Sequence, residues 1–221
     1  MNANKQIEIV CNQLNSDNNL SQGYNAIGFS QGAQLFRGLI QRCSNPPVKN
    51  FISIGGQHQG VYGLPHCPGS KELCNIIRRL LNLGAYTKFV QNHLVQAEYW
   101  HDPLDEEKYK EKSVFLADIN NERISNVTYK ERLSQLENMV LVKFLKDTMV
   151  QPIESEWFGF YQTGSASVVI SMNETKLYAE DRLGLKSMNE AGRIHFIEVN
   201  EDHQIMPSET FVDIIQNFLR D

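Results

Sequence analysis

The chain has 221 residues, of which 41% are hydrophobic, and a formal net charge of −5. Those values support one substantial domain, or one domain with a large insertion, and argue against disorder. The chain has no basic run, no aromatic-basic interleaving and no apolar stretch near the roughly 18 residues of a membrane span, which speaks against nucleic-acid binding and membrane insertion. The N-terminus, Met1-Asn2-Ala3-Asn4-Lys5-Gln6, is polar and lacks the apolar core of a signal peptide. In residues 4–15, Ile7, Val10, Cys11 and Leu14 share one helical face. Residues 15–23 are a polar loop. Tyr24–Phe29 then reads as a short strand, and Gln31–Arg42 as a helix with Leu35, Phe36, Leu39 and Ile40 at helical spacing. Pro46-Pro47 stops that helix, and Val48–Ile54 reads as a buried strand ended by Gly55-Gly56. Strand, helix and strand in this order form a parallel crossover unit.

The rhythm changes after Gly56. Residues 57–75 form a loop rich in Gly, Pro, His and Cys, and residues 72–100 read as helical, broken near Gly84. The charge run at 105–112 reads as a solvated helix face. Val114-Phe115-Leu116-Ala117 reads as a short core strand, residues 129–138 as a helix and residues 139–145 as a strand. The aromatic run from Trp157 to Tyr161 belongs in the core or beside a groove. Ile194–Val199 is a strand, and 208–219 is a closing helix that Ser208 can cap, with Phe211, Ile214, Ile215, Phe218 and Leu219 on its buried face. The chain divides into a first core part (1–56), a helical insertion that includes the short strand (57–138) and a second core part (139–221).

Gly28-Phe29-Ser30-Gln31-Gly32 fits G-x-S-x-G, and its strand–turn–helix setting is the one a nucleophile elbow requires. Backbone crowding at such a turn predicts that a Cβ at either flanking glycine would clash. A serine is a weak nucleophile at neutral pH and needs a base and an orienting acid. In α/β hydrolases these follow in the order Ser, Asp or Glu, His, at strand ends. Ser30, Asp147 and His203 satisfy that order, and Asp118, after the apparent strand at 114–117, is the rival acid. His195 lies inside a strand, His58 comes too early, and His66, His93 and His101 fall in the insertion. Asp202 suits a turn-shaping role, and Asp181 lies in an apparent helix with Arg182. The Gln31 N–H is the expected oxyanion donor.

Cys11, Cys43, Cys67 and Cys74 form no C-x-x-C pair, and no histidines have zinc spacing, so neither a metal nor a cofactor is expected. The even count, with sequons at Asn126-Val127-Thr128 and Asn173-Glu174-Thr175, hints at a secreted or luminal protein. Four reduced thiols and two chance sequons are the plain alternative. Three pairings are open; a short loop favours Cys67 with Cys74, leaving Cys11 with Cys43.

Longer strings carry a resemblance across the whole chain. They are Ser53-Ile54-Gly55-Gly56-Gln57-His58-Gln59-Gly60, Gln96-Ala97-Glu98-Tyr99-Trp100-His101-Asp102-Pro103, Phe115-Leu116-Ala117-Asp118-Ile119-Asn120, Ser155-Glu156-Trp157-Phe158-Gly159-Phe160-Tyr161 and Asp181-Arg182-Leu183-Gly184-Leu185-Lys186. With the elbow, these strings resemble the lysosomal palmitoyl-protein thioesterases of type 1. The resemblance implies an α/β-hydrolase fold, mostly parallel with a helical insertion, that removes long-chain acyl groups from S-acylated cysteines of proteins. It implies Ser30 as nucleophile, Asp147 rather than Asp118 as acid, and His203 as base. It further implies the disulfides Cys11–Cys43 and Cys67–Cys74, glycosylation at Asn126 and Asn173, a lysosomal or secreted location, and an acyl groove in the insertion. The family carries a signal peptide, further strands and an oxyanion loop ahead of the position of Met1. The chain as written is therefore expected to lack N-terminal strands and the second oxyanion donor, and to be weakly active. A catalytically impaired fragment and a general lipase or esterase are the alternative functions.

Overall fold

The computed structural model describes residues 1–63 and 84–219. Helix α1 (Ala3–Ser16) is capped by the Asn2 side chain, which accepts from the Lys5 N–H. Strand β1 (Tyr24–Phe29) leads through Ser30 into helix α2 (Gln31–Arg42), and β2 (Val48–Ile54) follows. β3 is Asn138–Phe144. The short strands β4 (Phe160–Tyr161) and β5 (Val169–Ile170) form an antiparallel pair. β6 (Ile194–Val199) completes the main sheet, and the helix Ser208–Phe218 follows it.

The main sheet has the order β1-β2-β3-β6 and every pairing in it is parallel. A parallel sheet is covered on both faces, so its strands are nearly all apolar rather than alternating. β3 shows this directly, with Met139, Val140, Leu141, Val142 and Phe144 fully buried. Alternate residues feed opposite layers. Phe51, Met139, Leu141 and Ile194 pack on one side with Leu133, Phe158, Leu183 and Met188. Ile52, Ile54, Val140, Val142 and Val199 pack on the other with Ile214 of the closing helix. A third cluster joins Ala3 and Ile7 of α1 to Leu39 of α2 and to Tyr109, Phe115, Leu116 and Ile119. The Cys11–Cys43 disulfide ties α1 to the end of α2. Cys67 and Cys74, with His66 and the first part of the helical region expected at 72–100, lie outside the described residues.

Several expected elements differ. Residues 114–117 are not a strand. Leu116–Ile119 is a short helix, with the Ser113 hydroxyl accepting from the Ala117 N–H. A four-residue apolar run fits a buried helix as well as a buried strand, and burial of Phe115, Leu116, Ala117 and Ile119 is all the pattern specifies. The helix expected at 129–138 is Val127–Leu133, started by Asn126. Lys88–His93 and Val95–Glu98 are separate helices. Ser208 is the first residue of its helix and makes no side-chain cap, and only Ile214 of the expected apolar face is buried. Asp181 sits at φ +49 in a turn between helices rather than within one. Among the described residues, no helix is long and apolar enough to cross a membrane.

Candidate active site

The C-terminal ends of the parallel strands are flush. Phe29 pairs with Ile54, Ile54 with Val142, and Val142 with Ile197, so the segments after β1, β3 and β6 emerge along one edge. Ser30 follows β1 immediately. Its N–H donates to the Ile54 carbonyl at 2.8 Å, which continues the ladder for one residue, and its own carbonyl accepts from the Ala33 N–H at 3.0 Å. Between those fixed points Ser30 takes φ 50 and ψ −122, on the positive-φ side that L residues avoid. Gly28 is what lets the strand and helix close so sharply. A Cβ there would stand 2.4 Å from the Ala33 Cα and 2.6 Å from the Ala33 N. Gly32 is different: a Cβ there meets nothing within 4 Å among the described residues, so of the clashes expected at both glycines these residues show the one at Gly28.

Ser30, His203 and Asp147 form one hydrogen-bonded chain. Ser30 Oγ lies 2.9 Å from His203 Nε2, and His203 Nδ1 contacts Asp147 Oδ2. The other Asp147 oxygen accepts from the Met149 N–H at 2.6 Å and the Val150 N–H at 2.8 Å. The Asp147 side chain is fully buried, while that of His203 is 12% exposed. Burial alone would raise the Asp147 carboxyl. The hydrogen bonds from His203, Glu156 and the Val150 N–H outweigh burial and leave it below the usual aspartate value. With the aspartate ionised, Nδ1 keeps its proton and Nε2 is free to accept from Ser30. Gln31 is the first residue of α2, where N–H groups have no partner inside the helix and the helix dipole favours negative charge.

The rival residues lie elsewhere. Asp118 is bound by Arg42 at 2.6 Å and by the Tyr129 hydroxyl at 3.0 Å. His195 Nε2 pairs with Asn138 Oδ1 at 2.8 Å. His58 does meet a serine, Ser53 Oγ at 2.7 Å. That pair is fully buried, however, and His58 Nδ1 has no partner among the described residues. Burial, then the charge of Arg37, holds this imidazole well below its ordinary value and so neutral. His101 is buried between Gln59 O and Glu106, and His93 is exposed on its own helix. Asp202 accepts from the His203 N–H and from the Thr148 N–H and hydroxyl, which makes it a turn-builder. Asn126 and Asn173 are both exposed.

Two residues near the site were not singled out from sequence. Arg37 is fully buried in α2. It donates to the carbonyls of Ile119 and His58 and to Asn120 Oδ1, strapping the segment after β2 to the 116–120 turn. Glu156 is fully buried beside Asp147 and His203. A carboxylate immediately before the aromatic run from Trp157 to Tyr161 is the available signal. These three groups are close enough to ligate a cation, but His203 Nδ1 and both Asp147 oxygens are already engaged by one another and by backbone N–H groups. A cavity of about 390 Å³ lined by Lys143, Trp157, Met172, Asn173 and Phe196 includes none of the three chain members.

The family described as palmitoyl protein thioesterase matches residues 1–203. A Caenorhabditis elegans protein named palmitoyl-protein thioesterase 1 is 55% identical over 218 residues, covering 98% of this chain and 73% of that protein. The Dictyostelium discoideum palmitoyl-protein thioesterase 3 is 40% identical over 209 residues, or 93% and 70% of the two chains. The Homo sapiens lysosomal thioesterase PPT2 is 31% identical over 179 residues, or 78% and 57%.

Proposed function

The chain belongs to the palmitoyl protein thioesterase family, with its α/β-hydrolase architecture, and on that footing we propose how its own residues perform the reaction. It is a serine thioesterase that removes palmitoyl groups from S-acylated cysteines. The observation that carries this reading is the continuous Ser30–His203–Asp147 chain, with Ser30 presented on a positive-φ turn.

Catalysis runs in two halves. His203 Nε2 takes the Ser30 hydroxyl proton as Oγ attacks the thioester carbonyl carbon. The oxyanion that forms is met by the Gln31 N–H, and Asp147 stabilises the imidazolium. The carbon–sulfur bond then breaks, Nε2–H protonates the departing cysteine sulfur, and the acyl group remains on Ser30 as an ester. A water molecule then gives a proton to Nε2 and attacks that ester. Its collapse returns the proton to Ser30 Oγ and releases the fatty acid.

The acyl chain is read as lying along the 57–138 insertion, where Phe89 is exposed. The relatives named as lysosomal thioesterases support a lysosomal setting. That setting fits the Cys11–Cys43 disulfide and would suit Cys67–Cys74 pairing and glycans on Asn126 and Asn173. The test is turnover of a palmitoyl thioester beside its oxygen-ester analogue, by the parent and by Ser30→Ala, with fluorophosphonate labelling of both. Thioester turnover and labelling by the parent alone are expected. Equal labelling of Ser30→Ala would remove Ser30 from the mechanism, and a preference for the oxygen ester would favour a general esterase.

A further inference from the structure

Glu156 belongs to the 3-10 turn Ile153–Trp157, which is pinned under β3 by the Trp157 Nε1–H to the Leu141 carbonyl at 2.9 Å. Its side chain has no access to water. One oxygen, Oε2, accepts from the Phe144 N–H at 2.9 Å. The other, Oε1, is buried and faces no donor among the described residues. One polar atom from each of Glu156, Asp147 and His203 lies within 4.8 Å of the other two. Two ionised carboxylates so close in a dry interior repel, and one of them keeps a proton. Asp147 has three donors aimed at it, from His203, Met149 and Val150, and so keeps the charge. Glu156 has one. Burial first, then its hydrogen bond and charge contact with Asp147, push its carboxyl up to about 10, against an opposing pull from Lys143. Asp202, beside Asp147, adds negative charge to the same region. A proton on Oε1 removes the orphaned acceptor and supplies a donor to Asp147 in one step.

We propose that Glu156 is a positioning residue of the triad: as a neutral acid it donates a hydrogen bond to the Asp147 carboxylate and holds that carboxylate against His203. The proposal rests on the Ser30–His203–Asp147 reading above. Without this donor Asp147 is less firmly aimed, and its charge, no longer shared with Glu156, holds the His203 proton more tightly. Turnover falls, and the acid limb of the pH–rate profile moves to higher pH.

The experiment compares parent, Glu156→Gln and Glu156→Leu in the full chain. Glutamine retains an N–H donor at nearly the same place. It is expected to keep kcat within about threefold of the parent, with the acid limb unmoved. Leucine is expected to lower kcat about ten- to a hundredfold with KM little changed, and to shift the acid limb upward. Because Glu156→Leu can fail to fold, an infrared difference spectrum of parent minus Glu156→Gln at pH 7 gives a second readout. It should contain the carbonyl band of a protonated carboxylic acid. Absence of that band, a Glu156→Leu variant that folds and matches the parent in rate and pH profile, or a Glu156→Gln variant as impaired as the leucine variant would each overturn the proposal. Fluorophosphonate labelling of the parent at Ser30 keeps the outcomes separate. A parent that is not labelled refutes the triad itself, whereas a labelled parent with indifferent Glu156 variants refutes only the role of Glu156.

Discussion

Replacing Ser30 with glycine should make the protein more stable than replacing it with alanine, while both variants lose turnover. Ser30 sits at φ 50 and ψ −122 and cannot relax. Its N–H is tied to Ile54 at 2.8 Å and its carbonyl to the Ala33 N–H at 3.0 Å, and Gly28 and Ala33 approach so closely that a Cβ on Gly28 would stand 2.4 Å from the Ala33 Cα. A residue with a Cβ held in such a conformation stores about 1–3 kcal/mol of strain. Alanine keeps the strain because it keeps the Cβ. Glycine releases it, at a cost of about 0.4–1 kcal/mol from the greater freedom of its unfolded chain. Both variants lose the same hydroxyl contact with His203, so that loss cancels in the comparison. The difference left is about 0.5–2 kcal/mol in favour of glycine, roughly 1–8 °C in Tm for a domain of this size. Guanidinium unfolding of the two variants, followed by fluorescence of Trp100 and Trp157, measures it. A glycine variant no more stable than the alanine variant would show that the turn is unstrained and would refute the reasoning.

Asp147→Asn should leave the fold intact and lower kcat by about 10⁴, because an amide cannot stabilise the imidazolium and favours the wrong tautomer; a decrease below tenfold in a steady-state thioesterase assay would count against Asp147. Joint replacement of Cys11 and Cys43 by serine opens a loop with a sequence separation of 32. The loss, read by denaturant unfolding, should be about 3–4 kcal/mol, and one under 1 kcal/mol would mean that α1 is held by packing alone. The pH dependence of stability should carry a signature of Glu156. Its folded carboxyl is raised to about 10, whereas an unfolded glutamate ionises near ~4.3. The native state then holds a proton that the unfolded state has released. The stability it contributes is complete below pH ~4.3 and is lost as pH rises toward about 10. Glu156→Gln cannot ionise and should flatten that decline, gaining on the order of 3–4 kcal/mol over the parent at pH 7 relative to pH 4. Parallel stability curves would show that Glu156 does not hold the proton.

Much of the site was readable because its logic is local. The elbow announces itself between Tyr24 and Arg42: a short apolar strand, Gly28, Ser30 and a helix whose apolar residues recur at helical spacing. The positions of Asp147 and His203 follow from recognising β3 and β6 as strands and reading the polar residues just beyond them. The segment at 114–117 failed for a physical reason. Val114-Phe115-Leu116-Ala117 records burial, not period, and four residues are too few to separate a strand from one helical turn. With that strand gone, Asp118 loses the strand-end position that made it a rival, and its pairing with Arg42 and Tyr129 accounts for its charge. Arg37 and Glu156 were not legible because their burial depends on partners in other elements, which the local pattern does not name. For Arg37 these are carbonyls at 58 and 119 and the amide of Asn120; for Glu156 they are the Phe144 N–H and Asp147.

What a one-dimensional reading misses is how the three loops are held to one another. Flush parallel strands bring Ser30, Asp147 and His203 to the same edge, but a strand end alone does not fix a side chain to the fraction of an ångström that proton transfer demands. Each residue carries its own restraint. Ser30 is locked by the strained turn, and Asp147 by the N–H groups of Met149 and Val150. The base loop is clasped to the acid loop by Asp202, which binds the His203 N–H at 2.7 Å and the Thr148 N–H at 2.9 Å with the same oxygen. Glu156 closes the rear, tied to β3 through Phe144. The neighbours of these three residues thus hold their geometry before substrate arrives, so binding need not supply the ordering, and preorganised orientation draws on Asp202 and Glu156 as well as on the strands.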